Sequence, residues 1–344
     1  MTETIRTFGP GRVNLIGDHT DYNAGVALPM AIGLGVSAAW TPDGSDRIVV
    51  RSDAYPGAEV VMAAAPDPDA RSDLEPAWAR LVAAMVEVAG PGTGGLLELT
   101  STLPTGAGLS SSAALCVALA DVFAVPGPAD RIARVCQQAE HCIGVPVGLM
   151  DPLVCAGGRA GHALCIDFAT GATRPVALAS DSQVVVVDSG LRRDLRTAPY
   201  AARVAECEAA ARVVGPLGLA TRADLAALTD PVQHRRARHV VTECERVHAV
   251  AAAFTAGDLA GAGALLDEGH ASLSADFEVS TPALDAMAVQ LRSVPGVLGV
   301  RLTGAGFGGC FVLLAERGAV DPAGLGLPAW AVAAVDGTLA RRPV

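Results

Sequence analysis

The sequence predicts a mixed α+β (two-domain α/β) fold, with domains over residues 1–180 and 181–344. Three observations carry this reading. Short runs of β-formers in the N-terminal half are separated by Pro/Gly turns and followed by helical stretches; the pattern restarts near residue 180 with the wholly apolar run Val184–Val187; and long Ala-rich helical stretches then precede two further strand runs. A chain of 344 residues is long enough for two domains with buried cores. Hydrophobic residues make up 51% and aromatics only 4%, so those cores must be built mainly from Ala, Val and Leu.

In chain order, Thr2–Phe8 leads into the turn-like Gly9-Pro10-Gly11. Val36–Trp40, Ile48–Arg51 and Glu59–Met62, separated by Pro42-Asp43-Gly44 and Pro56-Gly57, read as antiparallel strands. Apolar spacing makes Trp78–Ala89 a helix that Gly90-Pro91-Gly92 stops. Leu96–Ser101 is a strand, Pro104–Leu109 a loop, Ser110–Ala124 and Arg131–Ile143 helices, and His162–Asp167 a strand. Beyond the boundary, Gln183–Asp188 reads as a central strand, since its core is apolar on both faces. Helices are expected at Ala198–Val214, Arg235–Ala256 and Leu259–Leu273, and the strands Val297–Leu302 and Cys310–Leu314 flank the loop Thr303–Gly309.

Composition excludes several classes of function. A net charge of −11 argues against a nucleic-acid partner, because phosphate backbones require a basic face. The one basic run, His234-Arg235-Arg236-Ala237-Arg238-His239, is short and followed by Glu243 and Glu245, so it reads as a solvated helix face. The eight cysteines form no CxxC pair and read as small buried hydrophobes. No unbroken apolar span of about 20 residues exists, which predicts no membrane helix. Met1–Phe8 carries Glu3 and Arg6 and no apolar h-region, so a secretory signal is not expected and the cytoplasm is. The chain contains no lysine. A GxxxxGK[ST] loop, the lysine-dependent kinase signature set and Schiff-base chemistry are therefore excluded, and any grip on phosphate must come from Arg, backbone amides or a metal ion.

Two stretches carry chemistry. In Pro104-Thr105-Gly106-Ala107-Gly108-Leu109-Ser110-Ser111-Ser112, glycines let a backbone approach an anion, and three hydroxyls stand where an apolar helix begins. Helix N-termini present unpaired N–H groups and the positive dipole end, so the arrangement suits phosphate. Capping alone would need one serine, not three. Nearer the N-terminus, Gly11-Arg12-Val13-Asn14-Leu15-Ile16-Gly17-Asp18-His19-Thr20-Asp21-Tyr22-Asn23 concentrates an arginine, a histidine and two carboxylates. Carboxylates accept hydrogen bonds from hydroxyl-rich ligands, while an Asx-rich surface turn accounts for the same composition equally well.

Together these stretches resemble a known family. Gly11–Asn23 is similar to the galactokinase signature, Pro104–Ala114 to the ATP-binding motif of the GHMP kinase superfamily, and Leu302–Cys310 to its third motif. Ala139-Glu140-His141, Gly148-Leu149-Met150-Asp151, Arg238-His239-Val240-Val241 and Asp276–Ser280 extend the resemblance over nearly the whole chain. It implies a GHMP kinase fold, with an N-terminal domain like ribosomal protein S5 domain 2, a C-terminal ferredoxin-like domain, and an active site in the cleft between them. It implies that a monomer binds a small sugar and ATP and phosphorylates the sugar's anomeric C1 hydroxyl. Arg12 and Asp151 match the catalytic pair; Asp18, His19, Asp21, Gly148 and Tyr200 match sugar contacts; Gly106, Gly108, Ser110, Ser111 and Ser112 match the phosphate loop. Ser112 and Glu140 match ligands of Mg²⁺, which prefers hard oxygen donors.

The nearby guanidinium weakens a carboxylate as a base, so Asp151 reads as either a late proton acceptor or an electrostatic orienter. Two positions depart from the family. Asp18 stands where galactokinases usually carry Glu, and Pro152 where they usually carry Gln. The missing methylene withdraws the carboxylate by roughly 1.5 Å, and the resemblance implies that the family's residue there reaches toward the sugar's far hydroxymethyl. Galactose is therefore the first expectation, and N-acetylgalactosamine, arabinose or a uronic acid the alternatives on the same machinery. A non-catalytic sugar and nucleotide sensor is the reading from another class.

Overall fold

The computed structural model describes residues 3–65, 68–145, 147–192 and 198–341. Met1 and Thr2, at the start of the first expected segment, lie outside them. In chain order the first half contains β1 (Ile5–Asn14), β2 (Val26–Ala27), β3 (Pro29–Pro42), β4 (Arg47–Ser52), β5 (Glu59–Ala63), α1 (Pro68–Arg71), α2 (Trp78–Ala89), β6 (Gly95–Ser101), α3 (Ser111–Val122), α4 (Ala129–Cys142), α5 (Met150–Gly157), β7 (His162–Asp167) and β8 (Thr173–Ala177). Its strands form a five-stranded sheet ordered β1-β3-β6-β4-β5 and a three-stranded sheet ordered β2-β7-β8. β4 and β5 are the expected antiparallel hairpin, but β4 lies parallel to β6 instead of beside β3. That pairing joins distant segments, so no local turn signal announces it.

The second half holds β9 (Ser182–Asp188), α6 (Ala198–Val214), α7 (Pro231–Ala256), α8 (Leu259–Ala275), α9 (Pro282–Arg292), β10 (Val297–Thr303), β11 (Cys310–Glu316) and β12 (Ala329–Val332). These strands make one antiparallel sheet ordered β10-β11-β9-β12. Counted within this half the order is 2-3-1-4, the ferredoxin-like arrangement, with its second crossover helix reduced to the single turn Pro322–Leu325. β9 is interior, as its apolar run predicts. α7 begins with Asp230 accepting from the backbone N–H groups of Val232 and Gln233, has Pro231 in its first turn, and ends at Gly257 in the left-handed conformation (φ 72°).

The segment expected as a turn at Gly9-Pro10-Gly11 is instead the middle of β1, with a bulge between Pro10 and Gly11. Here glycine serves close packing. A Cβ on Gly9 would stand 2.0 Å from the carbonyl oxygen of Ala114 in α3, and one on Gly11 would stand 2.7 Å from that of Leu109. This contact presses the strand carrying Arg12 onto the helix that follows the Gly/Ser loop. The core between them is small and aliphatic, with Ala113, Ala114, Cys116, Val117, Ala118 and Leu119 all buried. Seven of the eight cysteines are buried, as expected. Among the described residues no helix is long and apolar enough to cross a membrane.

The β1–α3 contact predicts that Gly9→Ala destabilises the protein by about 2 kcal/mol or more, because backbone on both sides must shift. Urea denaturation of the two proteins measures it; a change below about 0.5 kcal/mol would show that α3 can move freely away from the strand.

Candidate active site

β1 delivers Arg12 to the point where α3, α4 and α5 converge. The Arg12 guanidinium donates from Nε to Asp151 Oδ1 (2.7 Å), from Nη2 to Asp151 Oδ2 (2.6 Å) and from Nη1 to the carbonyl of Gly108 (2.9 Å). It thus forms a two-pronged ion pair with the first turn of α5 and braces the Gly/Ser loop. Burial works against the charge on Arg12, yet Asp151 outweighs it and holds the guanidinium above its ordinary pKa. Ser110 Oγ donates to Asp151 Oδ2 (2.6 Å). The Asp151 side chain remains 32% exposed, so it can meet a ligand from solvent.

The loop before α3 turns through positive φ at Gly106 (72°) and Gly108 (77°), and Ser110 is also left-handed (62°). Ser110 spends its hydroxyl on Asp151 and does not cap the helix. The first N–H groups of α3 have no intrahelical acceptor by construction, and with the helix dipole they make an anion-binding end. Ser111 is exposed and Ser112 half-buried. Glu140 on α4 is buried (3% exposed) and bonds to the Ser112 hydroxyl; burial first, and then the charge of Asp151, pushes its carboxyl up to about 7. The Glu140 carboxyl and the Ser112 hydroxyl thus stand side by side as two hard oxygen donors.

On the other side of Asp151, the turn after β1 carries Asp18, His19 and Asp21. Asp21 sits against Gly148, where a Cβ would come 2.9 Å from its Oδ2. Burial first, with Asp151 contributing, pushes the Asp21 carboxyl up to about 6. The His19 ring lies 6.1 Å from Tyr200 and 4.4 Å from Phe277, and its Nδ1 is 3.0 Å from the Tyr22 hydroxyl. His19, Asp21, Gly148 and Tyr200 therefore share one polar corner beside Asp151. Asp18 differs. Its Oδ1 accepts from Asn14 Nδ2 (3.0 Å) and the Gly304 N–H (2.8 Å), its Oδ2 accepts from Arg301 Nη2 (2.7 Å), and the residue is 2% exposed.

Several residues here escaped the sequence reading. Arg192 lies alongside Gly106, its Cδ and Nε 3.8 Å from where a Cβ would stand, and donates to both carboxylate oxygens of Asp188 (2.9 Å each). Arg301, just ahead of the second glycine loop, pairs with Asp18 and with Glu243 Oε1 (2.7 Å), all three side chains being essentially without solvent contact. The run His234–His239 is not a solvated face: Arg236 and His239 are 1% and 0% exposed. Their partners, Glu206 and Glu278 for Arg236 and Ser272 for His239, lie far along the chain, so local charge patterning could not reveal the burial. That Arg301 precedes the glycine loop without an acidic neighbour was the available signal.

Comparison with known proteins agrees with this geometry. Family models match as the galactokinase galactose-binding signature (residues 2–42), the GHMP kinases N terminal domain (78–159) and the GHMP kinases C terminal (250–330). Human galactokinase is 40% identical over 330 residues, covering 91% of this chain and 84% of the human protein. The crystal structure of Lactococcus lactis galactokinase complexed with galactose superposes with a TM-score of 0.85 at 31% identity, covering 97% of this chain and 94% of that one. Methanococcus jannaschii mevalonate kinase, at 18% identity and a TM-score of 0.69, covering 98% of this chain and 99% of its own, shares the fold. With the galactose-binding signature and both GHMP halves matched, and galactokinase relatives 40% identical over most of the chain, the chain belongs to the galactokinase family of GHMP kinases.

Proposed function

We propose that the protein transfers the terminal phosphoryl group of ATP to the anomeric C1 hydroxyl of galactose, in the cytoplasm, with Mg²⁺ held by Ser112 and Glu140. The observation that carries this is the two-pronged Arg12–Asp151 pair standing between the phosphate loop and the polar corner of His19, Asp21, Gly148 and Tyr200. Phosphoryl transfer depends mostly on positioning and charge stabilisation. The α3 amides with Gly106, Gly108, Ser110, Ser111 and Ser112 cradle the phosphates, and Arg192 supplies a second guanidinium on that side. Mg²⁺, when bound, neutralises phosphate charge. Arg12 reaches the transferring group while holding Asp151, which already accepts three hydrogen bonds and takes the sugar hydroxyl's proton late, as the new P–O bond forms. His19 and Asp21 orient the remaining hydroxyls.

A second reading is favoured by Asp18, whose carboxylate is committed to Arg301, Asn14 and Gly304. With that acceptor withdrawn, recognition of the sugar's far hydroxymethyl is weakened, and the same reaction on a related sugar, such as arabinose or a uronic acid, becomes accessible.

Three measurements test these assignments. ADP release across a panel of galactose, N-acetylgalactosamine, arabinose and galacturonate should give the highest kcat/KM for galactose; a higher value for another sugar selects the second reading, and sugar binding with no ADP release from any of them would mean a sensor. Asp151→Asn should lower kcat on the order of 10²-fold or more, and a near-normal kcat would eliminate the proton-acceptor role. Because the Asp21 carboxyl titrates at about 6, it is ionised above that pH and protonated below it. The KM for galactose should therefore rise as pH falls through about 6, and Asp21→Asn should flatten that profile.

A further inference from the structure

The turn Gly17-Asp18-His19 has a costly backbone. Gly17 has φ 99° and His19 φ 67°, and a residue other than glycine in the left-handed region costs on the order of 1 kcal/mol or more. Such a conformation persists only where its surroundings hold it. Thr20 Oγ1 donates to the Gly17 carbonyl (2.8 Å) and Asn23 Nδ2 to that of His19 (2.7 Å) from within the turn, and two further groups reach in from the other half of the chain, on α7. Glu243 Oε1 accepts from the Gly17 N–H (2.9 Å), and His239 Nε2 lies 3.2 Å from the Asp18 carbonyl. The two side chains are four residues apart, so they project from the same helix face at successive turns. They grip neighbouring backbone groups of the turn as a partner strand would.

Further contacts tie this grip down. Glu243 also pairs with Arg301 and accepts from Arg246 Nε (2.9 Å), and Arg301 in turn holds the Asp18 carboxylate. The Phe277 ring lies 4.4 Å from that of His19 and 4.6 Å from that of His239. Since the Asp18 carbonyl can only accept, His239 carries its proton on Nε2, and Nδ1 faces the Ser272 hydroxyl at 2.9 Å. Burial pushes the ring's pKa down to about 4, so it is neutral and this tautomer is available.

We propose that His239 and Glu243 are positioning residues for the sugar: gripping the peptide groups of Gly17 and Asp18 from α7, they set the direction in which His19 and Asp21 face the ligand. Neither touches the sugar. The inference rests on the reading of that turn as the sugar side of the site. It makes sugar affinity a property of the C-terminal half, and leaves the nucleotide side, built on α3 and α4, outside its reach.

The test uses a matched pair in the full-length protein. Gln at 239 can reproduce the Nε2 donor, and Asn can reproduce only the Nδ1 position. Galactose and MgADP affinities are measured separately by calorimetry for wild type, His239→Gln and His239→Asn. The Asn variant should bind galactose about five- to tenfold more weakly than the Gln variant, the effect of one lost hydrogen bond to a buried carbonyl, with MgADP affinity within twofold of wild type in both. Equal galactose affinity in the two variants, or a parallel loss of MgADP binding, overturns the proposal. If either fails to fold, Ser272→Ala removes the hydroxyl that faces Nδ1 and holds the ring's orientation, and should weaken galactose two- to fivefold; unchanged affinity there also overturns it. Wild-type protein that does not bind galactose would instead remove the proposed substrate.

Discussion

Arg301 is a guanidinium with no contact with water, and the arrangement of the two halves turns on it. Burying such a charge costs several kcal/mol unless it is fully compensated. Compensation comes from two carboxylates on different parts of the chain: Asp18 in the turn after β1 and Glu243 on α7. Neither carboxylate could stand in its place alone, since each is also buried. The three charges are stable only together, and the Gly17 amide with Arg246, and the Gly304 amide with Asn14, add hydrogen bonds to Glu243 and Asp18 respectively. The network therefore works less as a source of net stability than as a condition on geometry. Strand β10, helix α7 and the sugar-side turn must meet in one register or leave a charge unpaired.

A different solution operates on the phosphate side. A chain without lysine has to handle a polyanion with backbone amides and guanidinium groups. Arginine brings a planar fork that lysine lacks. Arg12 uses that fork to hold Asp151 with two nitrogens while the third anchors the Gly108 carbonyl. One side chain thus fixes the distance between the Gly/Ser loop and the Asp151 carboxylate. A lysine at the same position could supply the charge but not these fixed separations.

Where structure followed from local chemistry, the sequence was legible. Apolar spacing and the Gly90-Pro91-Gly92 stop gave the bounds of α2 as observed, and the Val184–Val187 run marked an interior strand. Gly9-Pro10-Gly11 misled because glycine's small size and its conformational freedom leave the same mark on a sequence, and here only size is used. Helix α5 was treated as motif and not as helix, although Pro152 in its first turn is an ordinary place for proline. Helix α9 and the four-residue β12 also went unread. Arg12, Ser110 and Asp151, singled out through family resemblance, do meet in the structure. What His239, itself within a stretch of that resemblance, and Arg192, Glu243 and Arg301 meet lies across the fold, and no local pattern carries it.

The separation of the sheets between β8 and β9 has an exception with a temporal meaning. Residues 334–338 leave the C-terminal sheet and lie back on the first half: Ala334 bridges Ile32, the Val335 N–H donates to Ala31 (3.0 Å), the Gly337 N–H donates to Gly158 (2.8 Å), and the Thr338 hydroxyl donates to Phe8 (3.0 Å). On the ribosome the N-terminal half emerges first, yet β1 and β3 meet these partners only once residue 338 has left the exit tunnel. With α7 also meeting the Gly17–His19 turn, a nascent chain can bring Arg12 to Asp151 well before that turn has all its partners. The contacts that close over β1 and β3 are thus made only after residue 338 has been synthesised.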